Sequence, residues 1–207
     1  MLRNALLVGA ALAIAPAALA QTASPEATPE WPAIGSTAPD FTLPNLLAED
    51  GAPVTLSEVL AEKPYAAIIW HSVTCPFVLP YDSVLPGMAE QYGEQGVQFI
   101  AINSNHDETD EQVREHLTGA GFNFPVLRDE GNVIADEYGA QNTPEVFLVG
   151  AGRTLLYHGQ ISDNSSGPGA GGEPTLANVL SAILAGEQPP VTETPHRGCT
   201  VHRVRGN

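Results

Sequence analysis

An uninterrupted apolar run over residues 65–70 and a second run over 97–102, apolar except at Gln98, constrain the fold of this chain most strongly. A strand that is apolar at every position must be covered on both faces, whereas a half-exposed strand alternates apolar and polar side chains. Helical segments follow, predicted over 109–118 and 133–138, and a further strand, apolar after Glu145, is predicted over 145–149. Strand–helix–strand units of this kind predict an α/β fold with a central mixed sheet and helices on both faces.

Shorter segments complete this architecture. Residues 41–56 contain two apolar pieces around a turn and predict an N-terminal hairpin. Residues 78–92 place their apolar side chains on one helical face, with kinks expected at Pro80 and Pro86. A second hairpin follows the last apolar run, and an amphipathic helix over 176–184 closes the domain.

The N-terminal residues have the three parts of a secretory signal peptide, predicted over 1–20. Arg3 supplies a positive charge, residues 5–18 are apolar, and Ala18-Leu19-Ala20 is a small-x-small cleavage site. The apolar stretch is too short to span a bilayer, and no later segment of the sequence has the required length and apolarity. We therefore expect cleavage before Gln21 and export to the periplasm, with an uncleaved anchor as the alternative.

Composition divides the remaining sequence into three parts. Residues 21–33 are rich in Pro, Ala, Thr and Glu without an apolar period, which predicts a flexible tether. Residues 34–187 hold the predicted strands and helices and are long enough for one well-packed domain. Residues 188–207 are predicted to form an extended tail, because their prolines prevent a helix.

The charge balance excludes two classes of partner. The chain has 24 acidic residues against 8 lysines and arginines, for a formal net charge of −16. Such a surface repels nucleic acid and anionic lipid. We therefore expect neither as a partner, and no motif in the sequence calls for a cofactor.

Cys75 is the candidate centre of chemistry. It follows the first apolar strand at the predicted start of a helix, with Pro76 in the first turn, where a missing N–H is tolerated. Unpaired backbone N–H groups and the positive end of a helix dipole favour thiolate over thiol at such a position. A thiolate is a nucleophile, so this position suits covalent cysteine chemistry. The alternative is a buried, inert cysteine.

Five motifs, in order and spacing, resemble a redoxin of the alkyl hydroperoxide reductase and thiol-specific antioxidant superfamily, which includes the peroxiredoxins. The resemblance implies a thioredoxin-like fold, and it implies that Thr143-Pro144 is a cis peptide beside the active cysteine. The resemblance extends from about Ile34 to Val201. Its motifs are Gly35-x-x-Ala38-Pro39-Asp40-Phe41-x-Leu43, the Cys75 loop, Ala101-Ile-Asn-Ser-Asn105, Asn142-Thr143-Pro144-Glu145 and Pro195-x-x-Gly198-Cys199.

The departures from the family pattern narrow the chemistry. Thioredoxins carry Cys-x-x-Cys, whereas this chain has Ser72-Val-Thr-Cys75, so dithiol exchange within one loop is impossible. Ser/Thr-x-x-Cys is the peroxiredoxin arrangement and places Cys75 at the peroxide-attacking position. However, Ile68 stands where peroxiredoxins have a proline, and Thr143-Pro144 occupies the region of their activating arginine. Without a cation at the thiolate, rapid peroxide reduction is not expected.

Cys199, in the tail, is the second of only two cysteines. An extended tail can return across the domain and bring this thiol to Cys75. Cys199 would then resolve oxidised Cys75 by forming a disulfide. The alternative is a permanent disulfide that stabilises the fold by about 2–4 kcal/mol.

Histidines near both cysteines suggest a further possibility. His71 precedes the Cys75 loop and could stabilise the thiolate, bind metal or satisfy nearby polar groups. His106 and Asp107 are expected in a surface loop. His196 and His202 flank Cys199 at a spacing that could hold copper or zinc.

Three functions follow, in this order. The first is an exported thiol oxidoreductase in which Cys75 attacks a peroxide or a protein disulfide, Ser72 and His71 polarise the site, and Cys199 resolves the product. A periplasmic reductant would then restore both thiols. The second is a periplasmic copper-handling protein that uses the cysteines with nearby histidines. The third is a binding module in which a Cys75–Cys199 disulfide is structural.

Overall fold

The computed structural model describes residues 31–164, 167, 171–195 and 197–204. The predicted signal peptide and residues 21–30 of the predicted tether lie outside these ranges. The end of the tether lies against the domain, because the ring of Trp31 packs on the ring of His158 with their centroids 4.7 Å apart.

The described residues form strands and helices in alternation. The strands are β1 (Thr42–Pro44), β2 (Pro53–Thr55), β3 (Tyr65–Trp70), β4 (Val97–Asn103), β5 (Val126–Arg128), β6 (Asn142–Thr143), β7 (Glu145–Val149), β8 (Leu155–Gly159) and β9 (Cys199–Thr200). The α-helices are α1 (Leu56–Glu62), α2 (Leu85–Gly93), α3 (Asp110–Gly119), α4 (Val133–Tyr138) and α5 (Thr175–Leu184). Short 3₁₀ helices occupy Leu79–Tyr81, Glu130–Asn132 and Ala151–Arg153.

Five strands build the predicted central mixed sheet, in the order β5-β4-β3-β7-β8. Strands β3, β4 and β5 are parallel, whereas β7 and β8 run antiparallel to their neighbours. The hairpin β1–β2 lies outside this sheet, as does the pair β6–β9. The parallel half places the ends of β3 and β4 at the same edge, which is where sites form in open α/β sheets.

A hydrophobic core covers each face of the sheet, as the apolar runs predict. Alternate side chains of β3 enter the two cores: Ile69 lies in one, and Ile68 and Trp70 lie in the other. The ring of Trp70 packs against Tyr138 and Phe147 with centroids 5.2 Å away. Each large apolar side chain buried in this way contributes about 1.5–3 kcal/mol.

The prediction of one helix over 78–92 is wrong for its first half. After Cys75 the chain makes a tight turn and the 3₁₀ helix Leu79–Tyr81, and α2 begins only at Leu85. A proline fits the first turn of a helix but breaks its interior. Pro80 and Pro86 each occupy the second position of a new helix, so they restart the helix rather than kink one that continues.

Among the residues described, no helix combines the length and apolarity needed to cross a bilayer.

Candidate active site

Cys75 lies at the edge of the sheet, five residues beyond the end of β3. Its side chain is buried, and its Sγ donates to the carbonyl oxygen of Thr143 over 3.1 Å. The Cys75 carbonyl accepts from Val78 N at 2.9 Å and from Leu79 N at 3.2 Å. The thiol therefore precedes a tight turn, not the long helix that the sequence predicts, so fewer aligned peptide dipoles act on it.

Thr143 and Pro144 lie beside this thiol. The Thr143-Pro144 bond is cis, which confirms the sequence prediction. Thr143 is buried, and its Oγ1 has no hydrogen-bond partner among the residues described.

The tail brings Cys199 to the same place. Strand β9 pairs with β6 so that Cys199 stands opposite Thr143, the residue whose carbonyl oxygen accepts from Cys75 Sγ. The approach is close because Gly198 has no side chain: a Cβ there would lie 2.0 Å from the Thr143 carbonyl oxygen. Both cysteines are free thiols in this structure, so the predicted proximity is present without a bond between them.

The environment of Cys199 keeps its proton in place. Burial raises the pKa of Cys199, and its interaction with the neighbouring Cys75 raises it as well. A backbone hydrogen bond from Phe77 acts in the opposite direction, and the result is a pKa of about 11 in place of the ordinary 9.0. Cys199 is therefore a protonated thiol at neutral pH.

The buried carboxylate of Glu108 holds the loop before Cys75. Oε1 accepts from Ser72 Oγ at 2.6 Å, and from Thr74 through both its Oγ1 at 2.6 Å and its backbone N at 3.0 Å. Oε2 accepts from Val73 N at 3.3 Å and from Asn103 Nδ2. Ser72, which was expected to polarise the site, thus donates its hydroxyl hydrogen bond to Glu108.

Glu108 is ionised in this setting. Burial raises the pKa of its carboxyl group, but hydrogen bonds from Ser72, Thr74, Asn103 and Val73 outweigh burial and hold it below the ordinary value of 4.5. The sequence analysis did not single out this residue. Its position could have indicated a role: Glu108 follows β4 by five residues, and the carboxyl ends of the parallel strands β3 and β4 lie at the same edge of the sheet.

His71 takes part in a second buried network. Its Nε2 lies 2.8 Å from Asp82 Oδ1, and His116 Nε2 lies 2.7 Å from Asp82 Oδ2. Burial raises the pKa of Asp82, but the hydrogen bonds and charges of the two histidines together lower it by more, so the net shift is downward. Of the roles expected for His71, the structure shows the satisfaction of a polar group: it joins the beginning of the Cys75 loop to the residue after the 3₁₀ helix.

A groove opens beside Pro144. Phe77 lines it and is 37% exposed, and Leu79 in the same turn is 40% exposed. Arg197, from the tail, also lines the groove. A cation that the sequence analysis did not single out thus lines the groove beside Pro144.

The histidines of the tail do not assemble a metal site within the part of the chain that the structure describes, where no three His, Cys, Asp or Glu side chains converge. His202 Nδ1 lies 2.7 Å from Asp107 Oδ2, and the His202 carbonyl accepts from His106 N at 3.0 Å. His196, the other flanking histidine, lies outside the described residues.

Comparisons with known sequences agree with this geometry. Residues 33–180 match the family described as Redoxin, a range that contains Cys75 and Thr143-Pro144 and ends before Cys199. The chain is 32% identical over 130 residues to thiol-disulfide oxidoreductase ResA of Halalkalibacterium halodurans, covering 61% of this chain and 65% of that protein. For ResA of Bacillus subtilis the identity is 30% over 118 residues, covering 56% and 60%. The chain thus spans less than two thirds of the length of these relatives.

Solved structures show the same fold. A hypothetical protein from Sinorhizobium meliloti 1021 has a TM-score of 0.77 at 33% identity, covering 86% of this chain and 98% of that one. An uncharacterized conserved protein from Geobacillus kaustophilus has a TM-score of 0.77 at 29% identity, covering 84% and 94%. A peroxidoxin from Mycobacterium tuberculosis, 19% identical with a TM-score of 0.51, covers 59% and 82% and shares the fold alone. This chain belongs to the Redoxin family and has its thioredoxin-like fold.

Proposed function

We propose that this chain is an exported thiol oxidoreductase in which Cys75 is the nucleophile and Cys199 the resolving thiol. The observation that carries the proposal is the proximity of the two cysteines: the β6–β9 pair sets Cys199 opposite Thr143, whose carbonyl oxygen accepts from Cys75 Sγ. Two cysteines 124 positions apart replace the pair that thioredoxins place in one loop.

The reaction balances with these two thiols and a disulfide substrate. The Cys75 thiolate attacks one sulfur, the substrate S–S bond breaks, and the other sulfur leaves as a thiolate that takes up a proton. Cys199 then loses its proton and attacks Cys75 Sγ, which expels the first substrate sulfur. The substrate gains two electrons and two protons, and Cys75–Cys199 becomes a disulfide that an external dithiol reductant must restore.

A protein disulfide is the substrate class best supported. The ResA relatives are named thiol-disulfide oxidoreductases. The alternative is a peroxide: Cys75 would take one oxygen as sulfenic acid, releasing an alcohol or water, and Cys199 would expel that oxygen as water.

Export to the periplasm is part of the proposal and rests on residues 1–20. The small-x-small site before Gln21 is its support. N-terminal sequencing of protein recovered from the periplasm should begin at Gln21, and retention of the preceding residues would exclude cleavage there.

Intact-mass measurement of three proteins tests the chemistry. After treatment with oxidised glutathione, the wild type should lose two hydrogens, whereas Cys199→Ser should retain one glutathione on Cys75, and Cys75→Ser should form no internal disulfide. Peroxide treatment of Cys199→Ser, with a sulfenic-acid probe, assesses the alternative substrate. If Cys75 reacts with neither reagent in the wild type, the proposal is wrong.

The reduction potential separates catalysis from a structural disulfide. A catalytic Cys75–Cys199 bond should have a potential above about −300 mV, whereas structural disulfides of secreted proteins lie below about that value. A lower potential, together with a large loss of thermal stability in Cys199→Ser, would favour the binding module.

A further inference from the structure

A buried pair of titratable side chains, Glu145 and His158, lies behind the cis peptide. Both residues are at most 1% exposed, and His158 Nε2 lies 2.7 Å from Glu145 Oε1. The His158 ring stacks on Phe147, with centroids 4.3 Å apart, and it also packs against the ring of Trp31, with centroids 4.7 Å apart. None of the chemistry described for Cys75 uses this pair.

The second oxygen of Glu145 holds the strand to which Cys199 docks. Glu145 Oε2 accepts from the backbone N of Gln141 and of Asn142, both at 2.8 Å. This segment then pairs with β9, and the Gln141 carbonyl accepts from Val201 N at 2.8 Å. Glu145 therefore fixes the edge that receives Cys199.

The backbone of His158 holds the tail at a second point, a few residues before Cys199. His158 N donates to the Thr192 carbonyl at 3.0 Å, and Thr194 N donates to the His158 carbonyl at 3.1 Å. Glu193 accepts from Trp31 Nε1 at 3.1 Å. We call residues 192–195 and 197–201 the arm: it is attached at His158, and it ends on the edge that Glu145 holds.

The energetics of burial make this arrangement informative. Burying two polar groups costs free energy even when they are hydrogen-bonded to each other, so packed apolar residues can stabilise a core as well as a buried pair does. Apolar residues could not accept two backbone N–H groups or join two attachment points.

We propose that Glu145 and His158 are positioning residues for the resolving step, because their contact fixes both attachment points of the arm and so places Cys199 at Cys75. This inference rests on the proposed function, since it concerns the second half of that reaction. No hydrogen bond or ion pair joins either side chain to Cys75 or Cys199 within the described residues, so variants of the pair should leave the first half unchanged.

The aromatic disulfide dithiobis(nitrobenzoate) separates the two halves in a single turnover. Attack by Cys75 releases one thionitrobenzoate, and attack by Cys199 on Cys75 Sγ releases the second. His158→Leu should leave the first phase unchanged and slow the second about tenfold or more, because a small misplacement of reacting atoms has a large effect on rate. The Cys75–Cys199 potential should become less negative in the same variant.

Three further variants keep the test decisive. His158→Gln retains a donor of similar reach and should restore most of the second phase. Glu145→Gln keeps the side-chain volume and should show the same split, which covers the case in which His158→Leu does not fold. Leu56→Ala creates a cavity in the buried core, far along the chain from the arm, and should lower the melting temperature without separating the phases.

The outcomes distinguish this inference from the proposed function. A normal second phase in both His158→Leu and Glu145→Gln, or equal slowing of both phases, overturns the positioning role and leaves the function standing. Release of one thionitrobenzoate or none by the wild type overturns the resolving step, and the positioning role with it.

Discussion

At the scale of single residues, the surroundings of Cys199 raise the pKa of its thiol. Burial is the largest cause, and the neighbouring Cys75 adds to it. In the proposed second step, Cys199 must lose this proton before it can attack Cys75.

Replacing Cys75 with serine removes the contribution of Cys75 to this shift. We expect the pKa of Cys199 in Cys75→Ser to fall from about 11 towards the ordinary 9.0, though not fully, because burial is the largest cause of the increase and remains. Titration of the thiolate by ultraviolet absorbance measures the shift. An unchanged pKa would show that Cys75 has no electrostatic influence on Cys199.

At the scale of elements, sequence periodicity determines what can be predicted. The bounds of β3, β7 and α4 agree with the expectations, because apolar pattern and neighbouring turns define them. Strand β9 has two residues and no periodicity of its own; it exists because β6 offers an edge. Glu108 was also hard to predict, because it is one of 24 acidic residues. Only its position after β4, at the edge where the parallel strands end, distinguishes it from a surface charge.

The β6–β9 pair yields a prediction with a matched control. Gly198→Ala places a Cβ against the Thr143 carbonyl, so β9 must move away and separate Cys199 from Cys75. We expect the first thionitrobenzoate to be released normally and the second to be released slowly. Gly87→Ala, in α2, meets no atom within 4 Å and should leave both phases unchanged while stabilising the helix by about 0.5–1 kcal/mol.

A normal second phase in Gly198→Ala would contradict the docking of β9 as the route by which Cys199 reaches the site. Slowing of both phases would indicate that the cis-peptide segment, and with it Cys75, had been displaced.

At the scale of the whole molecule, the site joins segments that lie far apart in sequence. The family match ends at residue 180, yet the tail beyond it supplies Cys199, Arg197 and the arm. Periodicity and motif spacing predict the domain because local pattern determines its strands and helices. They do not predict which edge receives the tail, since that depends on backbone groups of β6 and β8 that carry no signature in the sequence.

The pH dependence of stability is a property of the whole chain that buried carboxylates should dominate. Asp82 and Glu108 have pKa values below their ordinary 3.8 and 4.5, so the unfolded chain binds protons at higher pH than the folded one. Their stabilisation is therefore complete above the unfolded values and is lost as pH falls through the lower, folded ones. Repulsion within a chain of net charge −16 weakens as acid is added, but salt at physiological strength screens it beyond about 8 Å.

We therefore expect the free energy of unfolding of the wild type, measured by urea titration, to fall steeply below about pH 4.5, where Glu108 begins to titrate in the unfolded chain. Glu108→Gln should be less stable by about 1–3 kcal/mol at pH 7, because an amide NH₂ would face donors of the Ser72–Thr74 loop. Its acid dependence should be shallower, so the two curves should converge as pH falls. Glu49→Gln, at an exposed position, is the control and should follow the wild type throughout. Parallel curves for Glu108→Gln and the wild type would show that the ionised Glu108 carboxylate is not the group whose protonation loosens the fold.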